Sequence, residues 1–358
     1  MTCDPRALPA RMPLLDAMRA LAALLVLLFH VDVIFGGLPL FRHTELAVDF
    51  FFMLSGFVLT ASVEGKQRDG SAATGFIVAR IGRLWPMMAL GSVIGLGTAW
   101  MRGVDSQALA LSFTLALLLL PSMVVRSPIF PLNGPQWSLL LELIANVAHA
   151  LELRRLPARM LLLLSTSAWL MLFAIAGMKG EMTFGPMYPG WQLGILRIGY
   201  AYTLGCVIAR LAPAIIARIR APWWLPLALL AVLLIGPGRA PAPNGLLDMA
   251  VLLAFGPVLI IAIAADPPEG LHPAMRRAGA ASWPLYALHV PLMDGANTLA
   301  VKGVLPPSLA PVAAIVLTLV AAMVLANSRI AKGFTRSKRQ PSRAAPTPAN
   351  SSGQPGYT

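Results

Sequence analysis

The stretch LDAMRALAALLVLLFHV, residues 15–31, is apolar enough to sit in lipid, yet it carries Arg19 near its start and His30 near its end. A helix needs roughly 20 mostly apolar residues to cross about 30 Å of hydrocarbon, and this run with its flanks reaches that length. An ionisable side chain inside such a span costs at least a few kcal/mol, so each one is a functional candidate by default.

Comparable runs recur near 14–35, 45–63, 84–101, 107–125, 137–153, 159–177, 191–211, 223–236, 247–265, 282–300 and 308–327. The chain is 57% apolar and only 12% charged, about half the charge of an ordinary soluble domain. No alternating strand pattern suggests a barrel, and unpaired backbone is not tolerated in lipid. These features predict an all-α, polytopic transmembrane helical bundle. The net charge of +13 does not point to nucleic acid, because Lys and Arg fall between the apolar runs and in the C-terminal tail, as topology signals do. Cys3 and Cys206 are far apart, and neither their spacing nor their number suggests a disulfide framework or a metal site. Arg6 and Arg11 ahead of the first run imitate a signal peptide, but no small-x-small cleavage site follows. The run is read as an uncleaved first span.

If all eleven runs crossed, the clusters Arg154/Arg155/Arg159, Arg218/Arg220 and Arg276/Arg277 would lie outside, against the positive-inside rule. Letting 107–125 enter and leave by one face returns most of the 28 Lys and Arg residues to the cytoplasm. The expectation is therefore ten spans plus one re-entrant or peripheral segment, with both termini cytoplasmic. Residues 1–333 form the membrane domain and 334–358, basic and rich in Pro and Ser, a disordered tail.

Arg19 and His30 are eleven positions apart, so on a helix they share a face within roughly 20° and are separated by about 16 Å of rise. Asp49 and Glu142 lie in runs entering from outside, each roughly 8–9 Å deep, the depth expected for His30. A histidine beside carboxylates suits general-base chemistry, the acid holding the imidazole tautomer. The plainer alternative is a buried ion-pair network that fixes helix packing. Zinc is disfavoured, since no H-x₃-H or Cys pair accompanies His30. Arg80 and Arg83, at i and i+3, can point the same way at the cytoplasmic start of their span and form a cationic mouth with Arg19. Ordinary topological anchoring is the alternative for both. Tyr286 and His289 are candidates for a channel lining or for packing. His43 and His272 read as solvated loop residues, Gly56 as a point of close helix approach, and Asp16 as the partner of Arg19.

Five segments in order resemble acyltransferase family 3, bacterial membrane enzymes that acylate hydroxyls of surface polysaccharides, lipid-linked sugars and some small molecules. They are RALAALLVLLFH (19–30), VDFFFMLSGF (48–57), RIGRLWP (80–86), WSLLLE (137–142) and SWPLYALHVP (282–291). The chain departs from the family after WSLLLE, where a second Glu and aromatics are common and LELIAN stands instead. No esterase-like domain follows, which suggests a stand-alone version. The resemblance implies an O-acyltransferase, most simply an O-acetyltransferase, of the bacterial inner membrane. Its co-substrate is acetyl-CoA or another acyl-CoA, with no metal, and its acceptor is a carbohydrate or lipid-linked sugar. Arg19, Arg80 and Arg83, with Tyr286 and His289 along the channel, would hold the coenzyme. His30 would act as general base or acyl carrier, with Asp49 or Glu142 orienting its ring. The rival readings are a proton-coupled transporter using His30, Asp49 and Glu142 as a relay, and a flippase of lipid-linked acyl donors.

Overall fold

The computed structural model describes residues 12–36, 41, 43–63, 71–182, 184–216, 218–236 and 245–328. Cys3, Arg6, Arg11 and the expected tail 334–358 lie outside them. Eleven α-helices occupy the described residues. They are α1 Pro13–Phe35, α2 Ala47–Val63, α3 Ser71–Met101, α4 Ser106–Leu117, α5 Gln136–Leu151 and α6 Ala158–Lys179, then α7 Leu193–Ile216, α8 Leu225–Leu234, α9 Gly245–Ala264, α10 His272–Val301 and α11 Ala310–Leu325. Among these residues there is no strand, only an isolated antiparallel bridge between Pro128 and Met187.

The helix ends follow local chemistry. Pro13 opens α1, where its missing N–H costs nothing, and Gly36 closes it at a φ of 77° that a side chain disfavours. Asp105 caps α4 by accepting bonds from the backbone N–H groups of Gln107 and Ala108.

Six segments are long and apolar enough to cross a membrane: α1, Thr44–Ser62, Thr74–Met101, α6, Leu193–Ala214 and α9. That is fewer than the ten crossings that hydropathy suggests. The difference lies in α5 and α11 with 16 residues each, α8 with ten, and α10, long but carrying His272, Arg276 and Arg277 in its first turns. The run 107–125 holds only the 12-residue α4. At about 1.5 Å per residue α4 reaches about 18 Å, too short to span hydrocarbon. Large apolar side chains such as Leu163, Met171, Val316 and Val320 face outward on α6 and α11. Such faces suit lipid rather than water. The chain is a multi-pass helical membrane protein.

Glycines bring α2 and α7 together. A Cβ at Gly56 would collide with the carbonyl of Tyr202, and one at Gly205 with the carbonyl of Met53. This is the close approach expected at Gly56. Asp49, Met53 and Gly56 (i, i+4, i+7) form the α7-facing side of α2, while Val48, Phe51, Phe52 and Ser55 form another face.

Candidate active site

Three helices frame the site and run the same way. Along the α1–α10 interface, Asp16 lies against Gly279 and His30 against His289. Along α3 and α10, Gly91 meets the carbonyl of Ala287, and Arg102 donates from Nε to Thr298 Oγ1 at 2.8 Å. The starts of α1, α3 and α10 therefore share one end of the bundle, as the count of basic residues requires.

At that end Arg19, Arg80 and Arg83 line one cavity with Ser55, Ser138, Glu142, Trp283 and Tyr286. Arg19 sits 4.0 Å from Asp16, the expected i, i+3 partner. No carboxylate comes within salt-bridge distance of Arg80 or Arg83 among the described residues. The Arg80 guanidinium lies 5.2 Å from the centre of the Phe76 ring. Three guanidiniums against one lining carboxylate make a cavity suited to an anion such as a phosphate.

The motif WSLLLE divides its work. Ser138 Oγ lies 2.6 Å from the Tyr286 hydroxyl. Glu142 accepts a hydrogen bond from Ser55 Oγ at 2.9 Å, so two polar wall groups are fixed by their neighbours. Trp137 stacks its ring under Arg197, 5.5 Å from the guanidinium carbon. The indole N–H of Trp283 is buried with no hydrogen-bond partner among the described residues.

The structure pairs Asp49 with Arg197 of α7 rather than with His30. Arg197 donates from Nε at 3.1 Å and from Nη2 at 2.5 Å to the two carboxylate oxygens. It also donates to the carbonyls of Phe184 at 2.7 Å and Glu45 at 3.3 Å. Both side chains are shut off from the surface, with exposures of 2% and 0%. A fork-on-fork pair with its spare protons on carbonyls is the geometry in which a buried ion pair is sustained. Glu142 likewise faces the arginine cavity, not His30.

His30 instead meets His289, which was expected along the coenzyme channel. His289 Nε2 lies 3.2 Å from His30 Nδ1, and the rings are edge-on with centres 4.6 Å apart. Tyr286 does line the cavity, and its ring is 5.7 Å from that of His289. It stands between the arginines and the histidine pair. Beyond the pair, toward the far end of α10, Arg102 binds Asp294 at 3.1 Å and ties α3 to α10. His43, expected to be solvated, is buried and bonded through Nδ1 to Asp248 at 2.7 Å. His272 opens α10 with Nε2 at 3.0 Å from the carbonyl of Pro267.

Arg197 is the residue that sequence reasoning missed. Its signal is present: it lies six residues into the run 191–211, roughly 9 Å deep, the depth of Asp49, and opposite charges at one depth invite pairing.

A helical membrane bundle with a cationic cavity at one end and a paired histidine farther along the same helices fits a group-transfer enzyme. The family model described as "Acyltransferase domain" matches residues 13–327, and the chain belongs to this family, acyltransferase family 3. It is an acyltransferase. A protein named "Protein 2 in picA locus", from Rhizobium radiobacter, is 34% identical over 187 residues, covering 47% of this chain and 96% of that protein. No solved structure matches the chain.

Proposed function

We propose that this acyltransferase moves an acyl group, most simply acetyl, from cytoplasmic acyl-CoA to a hydroxyl of a carbohydrate or lipid-linked sugar. The observation that carries the reading is the spacing along α1: Arg19 lies in the cationic cavity, and His30 is eleven residues farther on the same helix. That separation is about 16 Å, a length the extended arm of a coenzyme can bridge. Arg19, Arg80 and Arg83 hold the coenzyme's phosphates. His30 takes the proton of the acceptor hydroxyl through Nε2, since neutral imidazole has suitable basicity near neutral pH. The hydroxyl oxygen then bonds to the thioester carbonyl carbon, the C–S bond breaks, and the thiolate recovers the proton from His30. If His30 is instead an acyl carrier, Nε2 bonds to the thioester carbonyl carbon and the C–S bond breaks to release the CoA thiolate. In a second step the acceptor oxygen bonds to that carbon, the C–N bond breaks, and the hydroxyl proton passes to the freed imidazole. The enzyme works in the bacterial inner membrane with both termini cytoplasmic, which the placement of Arg154, Arg155, Arg159, Arg276 and Arg277 supports.

Mass spectrometry of polysaccharide and lipid extracts from cells with and without this gene tests the reading. An acyl mass present only with the gene is expected, and it identifies the acceptor. Unchanged masses together with lost uptake of a solute would replace the enzyme by a transporter.

The arginine cavity makes its own prediction. Arg80→Ala or Arg83→Ala removes charge-assisted bonds of roughly 1.5–3 kcal/mol, so KM for acetyl-CoA should rise about 10–100-fold. Lysine should restore only part, because it lacks the planar fork. Normal acetyl-CoA binding by both alanine proteins would reduce these arginines to topological anchors.

A further inference from the structure

We infer that His289 is the positioning residue for His30, a second imidazole in the place where a carboxylate is expected. The inference rests on the proposed role of His30.

The proton positions follow from what each nitrogen faces. His289 Nδ1 lies 2.8 Å from the carbonyl of Tyr286, which only accepts, so this nitrogen carries the hydrogen. In the neutral ring Nε2 is then a lone pair. His30 Nδ1 lies 2.9 Å from the carbonyl of Val26, one turn earlier, so it too is protonated. Its N–H points between that carbonyl and the lone pair of His289 Nε2, 3.2 Å away. One donor is shared by two acceptors. No other neutral arrangement satisfies both carbonyls.

Two consequences follow for His30. Its tautomer is fixed with the lone pair on Nε2, the nitrogen that bonds no described residue, in a ring that is partly exposed. When Nε2 takes a proton, the charge formed on the ring is met at Nδ1 by a carbonyl and by an imidazole lone pair. A His–carboxylate pair performs the same two tasks, tautomer and charge. A neutral imidazole performs them without placing a second charge in the bundle, where an unpaired carboxylate is costly. His289 is held in turn, being fully buried and anchored on the carbonyl of Tyr286. The carboxylates first expected beside His30 are engaged elsewhere, Asp49 with Arg197 and Glu142 with Ser55.

The test uses membranes holding the full-length protein, labelled acetyl-CoA as probe, and transfer of label to the extracted acceptor as readout. His289→Leu removes the acceptor and should lower kcat by about 10–100-fold, with KM for acetyl-CoA within twofold of wild type. His289→Gln puts an amide oxygen near the position of Nε2 and should recover most of that loss. In a His30→Ala background, His289→Leu should cause no further fall, because its effect passes through His30. Retained acetyl-CoA binding marks each variant as folded. If the leucine protein fails that check, His289→Met, only a weak acceptor, takes its place. Wild-type kcat in the leucine or methionine protein, or full multiplication of the two losses in the double variant, overturns the inference while His30→Ala remains inactive. Wild-type transfer by His30→Ala overturns the reading of His30 itself, a separate result.

Discussion

His30→Ala is expected to lower acyl transfer by about 10²–10⁴-fold, the usual contribution of a general base, while acetyl-CoA binding persists. The loss is large because the substitution removes Nε2, the one imidazole nitrogen of the His30–His289 pair without a partner among the described residues. The imidazole nitrogen that remains, His289 Nε2, belongs to a fully buried ring, so an acceptor hydroxyl has no accessible base from this pair. Binding persists because Arg19, Arg80 and Arg83 line the cavity at the other end of α1, about 16 Å away. Folding should also persist, since His30 is only partly buried and its partners are a helical carbonyl and one histidine. The check is label transfer from acetyl-CoA set beside acetyl-CoA binding by the same purified protein. A folded His30→Ala protein that keeps more than about a tenth of wild-type turnover, against a loss of that size, would remove His30 from the chemistry.

The sequence made one coordinate of the site legible and left another hidden. Depth along a helix follows from counting residues, and counting places Arg19 in the mouth with Arg80 and Arg83, where the structure finds all three. The common direction of α1, α3 and α10 also follows from the distribution of basic residues. Direction around each helix axis does not follow, because it depends on which helices become neighbours. Asp49 shares the expected depth of His30, yet it lies on the face of α2 that Met53 and Gly56 press against α7. Phe51 and Ser55 are turned instead toward the cavity. The contact between α1 and α10 that brings His289 to His30 is hidden from the sequence in the same way. The fold class was readable because lipid imposes long apolar helices. The number of crossings was less so. Hydropathy sees the apolar run 223–236 but not that its helix, α8, is ten residues long.

Asp49→Asn should act on stability first and on turnover only as a consequence. The substitution leaves the Arg197 guanidinium, 2% exposed, with the carbonyls of Phe184 and Glu45 and the ring of Trp137 but without its hydrogen-bonded carboxylate. Removing one member of a buried ion pair costs about 3–5 kcal/mol, since the other charge remains desolvated. The expected result is a marked fall in unfolding temperature of the detergent-purified protein and a smaller folded fraction in membranes. Asp49→Leu combined with Arg197→Met should recover much of that stability, because replacing both partners by apolar groups of similar size removes the stranded charge. Folded Asp49→Asn molecules, counted by acetyl-CoA binding, should turn over near the wild-type rate per molecule. The opposite pattern, unfolding unchanged but turnover per folded molecule lost, would return Asp49 to the chemistry. The same pair of measurements on Arg197→Met alone should show the stranded carboxylate as clearly as Asp49→Asn shows the stranded guanidinium. Asp49 and Arg197 join α2 to α7 beside Trp137, whose neighbour Ser138 holds Tyr286 in the wall of the cavity. Loosening the pair therefore acts on the cavity walls and on folding, whereas the chemistry proposed above is assigned to the histidines on α1 and α10.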